Sequence, residues 1–232
     1  DIARSMSAVS ARVATVPGRN VIGIELPNAR RETVFLRELL STRHYEDNRL
    51  GLPLALGKDI GGDPVIADLA RMPHLLIGGT TGSGKSVLIH AVIMSIVTEY
   101  SPSEVELFLI DFKEGVEFKQ YADIGLPHAR VIAIESERDF GLSVLQRARD
   151  EIKRRGELFR DAGRGAVKLE EYRDRTGEPM KRLILIIDEF QQLFYRDDKI
   201  AGDSAEILEL ILRQGRAFGI HVVLASQSLA GM

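Results

Sequence analysis

From His74 onward the chain alternates short, continuous apolar runs with longer amphipathic segments. The runs are "HLLIGG", "VELFLID" (Val105–Asp111), "RVIAIE" (Arg130–Glu135), "RLILIID" (Arg182–Asp188) and "HVVLAS" (His221–Ser226). A strand with one wet face alternates polar and apolar residues. Unbroken apolar runs separated by helices instead read as parallel strands covered on both faces. The intervening segments predict helices over about Lys85–Tyr100, Ser136–Ala162 and Asp203–Phe218, with a short helical piece after Asp111. In the longest of these, Phe140, Val144, Leu145, Ala148, Ile152 and Phe159 fall on one stripe. Ser136 is suited to cap its start, with Asp139 three residues on, and Gly163 to cap its end. The expected fold class is α/β, a mostly parallel sheet with helices on both faces.

Ahead of this region the texture is different. "NVIGIELP" (Asn20–Pro27) reads as a strand and is followed by "ETVFLRELL". From Gly51 to Leu69, two short β runs flank the turn "KDIGGDP". No internal repeat or low-complexity segment is visible.

Composition narrows the picture. The 232 residues, 44% hydrophobic, suit one α/β domain with a small appended part. A net charge of −3 gives no global signature of nucleic-acid binding, so any such contact must be local. The chain contains no cysteine, which excludes disulfides and thiolate metal sites and favours a reducing cytoplasm. No apolar stretch approaches the ~20 residues that span a bilayer, and no signal peptide is visible. The opening "DIARSMSAV" and the ending "ASQSLAGM" read as cuts in a longer protein.

The candidate chemistry begins at "GGTTGSGKSV". Gly79, Thr80, Thr81, Gly82, Ser83, Gly84, Lys85 and Ser86 match G-x-x-x-x-G-K-[ST] in full, after an apolar run and before a helix. Glycines let backbone N–H groups point inward around phosphates, and the free N–H groups at the following helix start, up to Val87, face the anion. This implies ATP binding: Lys85 reaches the β- and γ-phosphates and the Ser86 hydroxyl binds Mg²⁺. About a hundred residues on, "LILIIDEF" ends an apolar run with Asp188, suited to hold Mg²⁺, and Glu189, suited to orient and deprotonate an attacking water. Alone, two carboxylates at a strand end are common; after a full phosphate loop they read as catalytic.

Weaker candidates surround these. Asp111 ends another strand with Lys113 nearby, as a supporting group or a plain turn. Ser226 and Gln227 end the last run, where Gln227 could sense the γ-phosphate or the lytic water. Arg164, Lys168, Arg173 and Arg175 lie in a charged segment that is either a solvated face or a lining for a phosphate backbone. Arg213 and Arg216 are candidates for an arginine finger or for structural ion pairs. His74, His128 and His221 are scattered in a way that suggests structural use.

Four stretches, "MSAVSARVATVPGRNVIGIELPN", "LALGKDIGGDPVIADLARMPHLLIGGTTGSGKSV", "LILIIDEF" and "RAFGIHVVLASQ", together resemble the motor domain of the FtsK/SpoIIIE DNA translocases, in the HerA-FtsK branch of P-loop ATPases. The resemblance covers nearly the whole chain and is densest from Leu52 to Ser86. It implies a RecA-like sheet, a homo-hexameric ring around double-stranded DNA, ATP hydrolysis with Mg²⁺ at subunit boundaries, and a cytoplasmic motor whose full-length protein can be membrane-tethered. By position, Lys85 and Ser86 match the family's Walker A residues, Asp188 and Glu189 its Walker B residues, and Gln227 its sensor-like residue. Residues 1–50 resemble the end of a smaller preceding subdomain and 51–232 the core, truncated at its C-terminal side. "DFKEGVEF" is instead more similar to FtsK-like ATPases of conjugation and type VII secretion, which leaves protein cargo as the alternative to DNA.

Overall fold

The computed structural model describes residues 11–15, 21–27, 32–46, 49–113, 117–133, 137–162 and 167–227. It resolves into two units, Asp1–Phe35 and Leu36–Met232. In the first, β1 (Arg12–Thr15) and β2 (Ile22–Glu25) form an antiparallel ladder with Val13 opposite Ile24.

The second unit begins earlier than the division expected at residue 50. The short helix Leu36–Leu40 places Leu39 against Ala55 and Tyr45, and the buried Tyr45 hydroxyl donates to the Ser95 carbonyl. These contacts tie residues 36–45 to the larger unit. Next comes the expected hairpin, β3 (Pro53–Lys58) and β4 (Pro64–Asp68), paired antiparallel. Asp59 closes its turn by accepting N–H bonds from Gly61 (2.8 Å) and Asp63 (3.0 Å), and Gly62 takes φ +89°.

Among the described residues the main sheet has five parallel strands, β5 (Leu75–Gly78), β6 (Val105–Asp111), β7 (Ala129–Ala133), β8 (Arg182–Asp188) and β9 (Ile220–Ser226), in the order β5-β9-β8-β6-β7. The apolar runs of β6, β7, β8 and β9 divide their side chains between two cores, because successive residues point to opposite faces, whereas β5 at the edge leaves Leu76 exposed. Phe108, Ile110, Leu183, Leu185, Ile187, Val222 and Leu224 face the helices Arg138–Asp161 and Lys199–Gln214. Leu107, Leu109, Ile184, Ile186, Val223 and Ala225 face the helix Lys85–Glu99 and the hairpin residues Leu52 and Leu54. This is a RecA-like α/β sandwich. The sheet order sets the last strand between the strand of the phosphate loop and the strand of the acidic pair.

Several local expectations shift. The long helix runs Arg138–Asp161, and its proposed caps Ser136 and Gly163 lie outside the described residues. Phe140 is exposed, so the buried stripe begins at Val144. The helix expected at Asp203 starts at Lys199, because the Asp198 side chain caps it by accepting from the Ala201 N–H (3.0 Å). Within the charged segment before β8, a helix at Leu169–Thr176 buries Leu169 and Tyr172, and the Tyr172 ring stacks on Phe159 at 5.2 Å.

Candidate nucleotide site

The loop from Gly79 to Gly84 joins β5 to the helix Lys85–Glu99 at the C-terminal rim of the sheet. It curls on itself: the Gly79 N–H donates to the Ser226 carbonyl (3.1 Å) and the Ser83 N–H to the Thr80 carbonyl (3.0 Å). Gly82 (φ +79°) and Gly84 (φ +96°) occupy the left-handed region that side chains resist. At Gly79 the need is for space, since a Cβ there would lie 2.2 Å from Ser83 Oγ. The helix begins at Lys85 without a side-chain cap, so its leading N–H groups, Ser86 and Val87 included, lack intrahelical partners. The Val87 side chain points to solvent.

The Lys85 ammonium is buried between the two acids at the end of β8. It contacts an Asp188 carboxylate oxygen and lies 2.6 Å from Glu189 Oε1. Lys85 and the acidic pair, 103 residues apart in sequence, are therefore in direct contact. Glu189 holds a left-handed backbone (φ 53°, ψ 42°), unusual for a non-glycine residue and concentrated at functional sites. That turn lets its N–H reach back to Asp188 Oδ1 (2.9 Å), while its carboxylate accepts from Lys85, the Gln191 amide and the Gln227 backbone N–H. Gln227 follows β9 and accepts from the Thr81 hydroxyl (3.3 Å). The tip of the phosphate loop and the Glu189 carboxylate thus meet at the same residue.

Charge is concentrated here. Burial opposes the Lys85 charge, but its two carboxylate partners outweigh it and hold the ammonium's pKa above the ordinary value. Burial also raises the Glu189 pKa; the hydrogen bonds from Lys85 and Gln191 reverse this and hold the carboxyl below the usual range. Asp188, the more deeply enclosed of the two, is pushed up by burial despite Lys85. Asp111 lies beside Asp188 across the β6–β8 ladder, is fully buried and is likewise pushed up by burial.

Sequence reasoning left Asp111 open and did not find Glu117. Asp111 accepts the N–H groups of Lys113 (2.8 Å) and Glu117 (3.3 Å). Glu117 accepts the Ser86 hydroxyl at 2.5 Å and lies 3.4 Å from His90 Nε2. No local pattern in the sequence marks Glu117, because its partner Ser86 lies 31 residues away. Among the described residues no three acidic or histidine side chains converge as a metal cluster; the oxygen ligands on offer are the Ser86 hydroxyl and the Asp188 carboxylate, the small hard-oxygen set that Mg²⁺, which keeps several waters, requires of a protein.

The remaining candidates lie elsewhere. The Arg173 guanidinium donates to the Met180 carbonyl and so serves the local fold; Lys168 flanks the helix Leu169–Thr176 and is exposed, and Arg164 lies outside the described residues. Arg213 and Arg216 are exposed at the opposite rim, Arg213 loosely paired with Glu209 at 3.6 Å. His74, His128 and His221 each bond a backbone carbonyl, a structural use. No helix among the described residues is long and apolar enough to cross a membrane.

A family model described as the FtsK/SpoIIIE family matches residues 35–231. The chain is 41% identical over 262 residues to the DNA translocase FtsK of Agrobacterium fabrum, covering 98% of this chain and 28% of that protein. Against the cytoplasmic domain of the type VII secretion ATPase EccC of Thermomonospora curvata, the TM-score is 0.65 at 30% identity over 85% of this chain and 23% of that one. The pCW3 conjugation coupling protein TcpA, solved as a monomer form with ATPγS, gives 0.66 at 23% identity over 97% of this chain and 62% of that one, a likeness of fold alone. The chain spans between 28% and 34% of the length of curated relatives such as these translocases.

Proposed function

The chain belongs to the FtsK/SpoIIIE family, and from that premise we propose that it is the ATP-hydrolysing motor domain of a homo-hexameric, cytoplasmic ring that moves double-stranded DNA. The observation that carries the hydrolytic reading is the meeting of Lys85 with Asp188 and Glu189 beside an open, glycine-shaped loop.

In this reading the N–H groups of the loop and of the helix start, from Gly79 to Val87, cradle the phosphates of ATP. Lys85 leaves its two carboxylates for the β- and γ-phosphates. That exchange releases the acids: Asp188 and Ser86 are the residues that would hold Mg²⁺, and Glu189 would be free to accept the proton of the attacking water as general base. The metal supplies neutralisation of the charge on the phosphate oxygens. The Glu189 carboxylate therefore becomes free for its role when nucleotide draws Lys85 away. Gln227, bonded to both the loop tip and Glu189, is positioned to report the state of the γ-phosphate to its strand.

A second reading, an ATPase that drives protein secretion, is favoured by the 30% identity to the secretion ATPase. ATP turnover with and without duplex DNA, at low and high salt, separates the two. The DNA motor predicts stimulation by DNA that fades as salt rises, since phosphate contacts release counterions, together with a hexamer mass in ATP. Turnover indifferent to DNA at every salt concentration overturns the DNA reading. Glu189→Gln should bind ATP yet lose turnover by about 100-fold or more.

A further inference from the structure

The Ser86 hydroxyl is already committed to a partner. Its proton goes to Glu117 Oε1 at 2.5 Å, while Asp188 is engaged by Lys85 and by the Glu189 N–H. Glu117 itself is fixed from two directions. Its N–H is held by Asp111 Oδ2 (3.3 Å), and its other carboxylate oxygen lies 3.4 Å from His90 Nε2. His90 is in turn held by the Tyr121 hydroxyl (2.9 Å) through Nδ1, with the Gln120 amide at 3.3 Å. The chain of contacts runs from the fully buried end of β6 through the loop to the first turn of the phosphate-loop helix, and it ends on one hydroxyl proton.

A hydroxyl has one proton and two lone pairs. A side chain that binds a cation through oxygen must turn its lone pairs to the ion and its proton away from it. A carboxylate that accepts the proton selects that rotamer and makes the oxygen more electron-rich. Outer partners of this kind orient ligands and typically account for a 10–100-fold change in metal affinity.

We propose that Glu117 is the positioning residue for the metal: by accepting the Ser86 proton it aims the hydroxyl oxygen at Mg²⁺, with His90 and Asp111 keeping the carboxylate in place. This rests on the proposed ATPase reading and adds to it a residue that the phosphate-loop and acidic motifs do not contain. Glu117 acts through Ser86 and does not ligate the ion.

The test measures two affinities on the full chain. ATPγS binding is followed by calorimetry in EDTA, and Mn²⁺ binding in the presence of ATPγS by electron paramagnetic resonance. Wild type should bind ATPγS in EDTA and then Mn²⁺ at one site. Glu117→Ala should leave ATPγS affinity in EDTA within about twofold and weaken Mn²⁺ by about 10–100-fold. Glu117→Gln, which keeps the size and an accepting oxygen, should fall between the two and guards against misfolding of the alanine variant. Ser86→Ala should also weaken Mn²⁺, and the Ser86→Ala/Glu117→Ala pair should be no worse than Ser86→Ala alone, because both changes remove the same aimed oxygen. Unchanged Mn²⁺ affinity in Glu117→Ala overturns the proposal, as do additive losses in the double variant, which would make Glu117 a ligand in its own right. Failure of wild type to bind ATPγS would instead overturn the nucleotide site itself.

Discussion

Replacing Lys85 with alanine should destabilise the nucleotide-free protein as well as abolish phosphate binding. The side chains of Lys85, Asp188 and Glu189 are only 6%, 3% and 5% exposed, so truncating the lysine strands two enclosed carboxylates. Removing one partner of a fully buried ion pair costs about 3–5 kcal/mol. Here the loss should be nearer 2 kcal/mol, because the triad sits at the sheet rim, where solvent screens part of the charge, and because the Glu189 N–H, the Gln191 amide and the Gln227 N–H still serve the acids. Glu189→Gln should behave oppositely in the two backgrounds. In the wild type it leaves Lys85 matched to Asp188 and should change stability by less than about 1 kcal/mol; in Lys85→Ala it removes a stranded charge and should recover about 1 kcal/mol. Urea unfolding at pH 7 without nucleotide, read by circular dichroism for all four proteins, measures this. A Lys85→Ala protein as stable as wild type, or a Glu189→Gln effect of the same size and sign in both backgrounds, would refute the account of a charge-coupled triad.

Three further outcomes follow from the geometry. Gly79→Ala places a methyl group on Ser83 Oγ and should weaken ATPγS binding by about 10-fold or more; Ser83→Gly in the same chain should restore part of it, and no loss in the single variant would show that the loop yields freely. Burial pushes His221 down to about 4, in surroundings that include His74, Arg182 and Glu170, whereas the unfolded chain titrates near 6.5. The unfolded state therefore takes up the proton first as pH falls, and up to ~3 kcal/mol of stability should be lost between about pH 6.5 and 4; His221→Gln should flatten that part of the unfolding profile. Tyr45→Phe removes the hydroxyl that donates to the Ser95 carbonyl and should cost ~1 kcal/mol in thermal unfolding, whereas an unchanged midpoint would deny residues 36–45 a role in the larger unit.

The elements legible in the sequence were those whose residues carry their own signal. "VELFLID", "RLILIID" and "HVVLAS" carry apolar residues through their buried interiors, with polar residues buried at their ends, and the phosphate loop states its glycines, lysine and serine at fixed spacing. The adjacency of Asp188 and Gln227 is a product of the strand order, in which β9 inserts beside β8. The helix Leu169–Thr176 was obscured by its polar residues: two apolar side chains, Leu169 and Tyr172, are enough to anchor it because Phe159 and Met180 wait beneath them. Phe140 shows the reverse error, since periodicity assigns it a face but cannot say whether a neighbour covers that end of the helix. Glu117 carried no pattern of its own. Its significance arises from two contacts, Asp111 accepting its N–H and Ser86, 31 residues away, donating to its carboxylate, a tertiary fact with no local trace.

The strand that lies between the phosphate-loop strand and the acidic strand also imposes a division of labour. β9 has seven residues and is about 20 Å long, with Gln227 just beyond its far end and Arg216 shortly before its beginning. A guanidinium on a flexible stem cannot cover that span back along its own strand. Arg213 and Arg216 are therefore out of reach of any triphosphate held by their own loop, and whatever anion they meet has to be brought to them by something else.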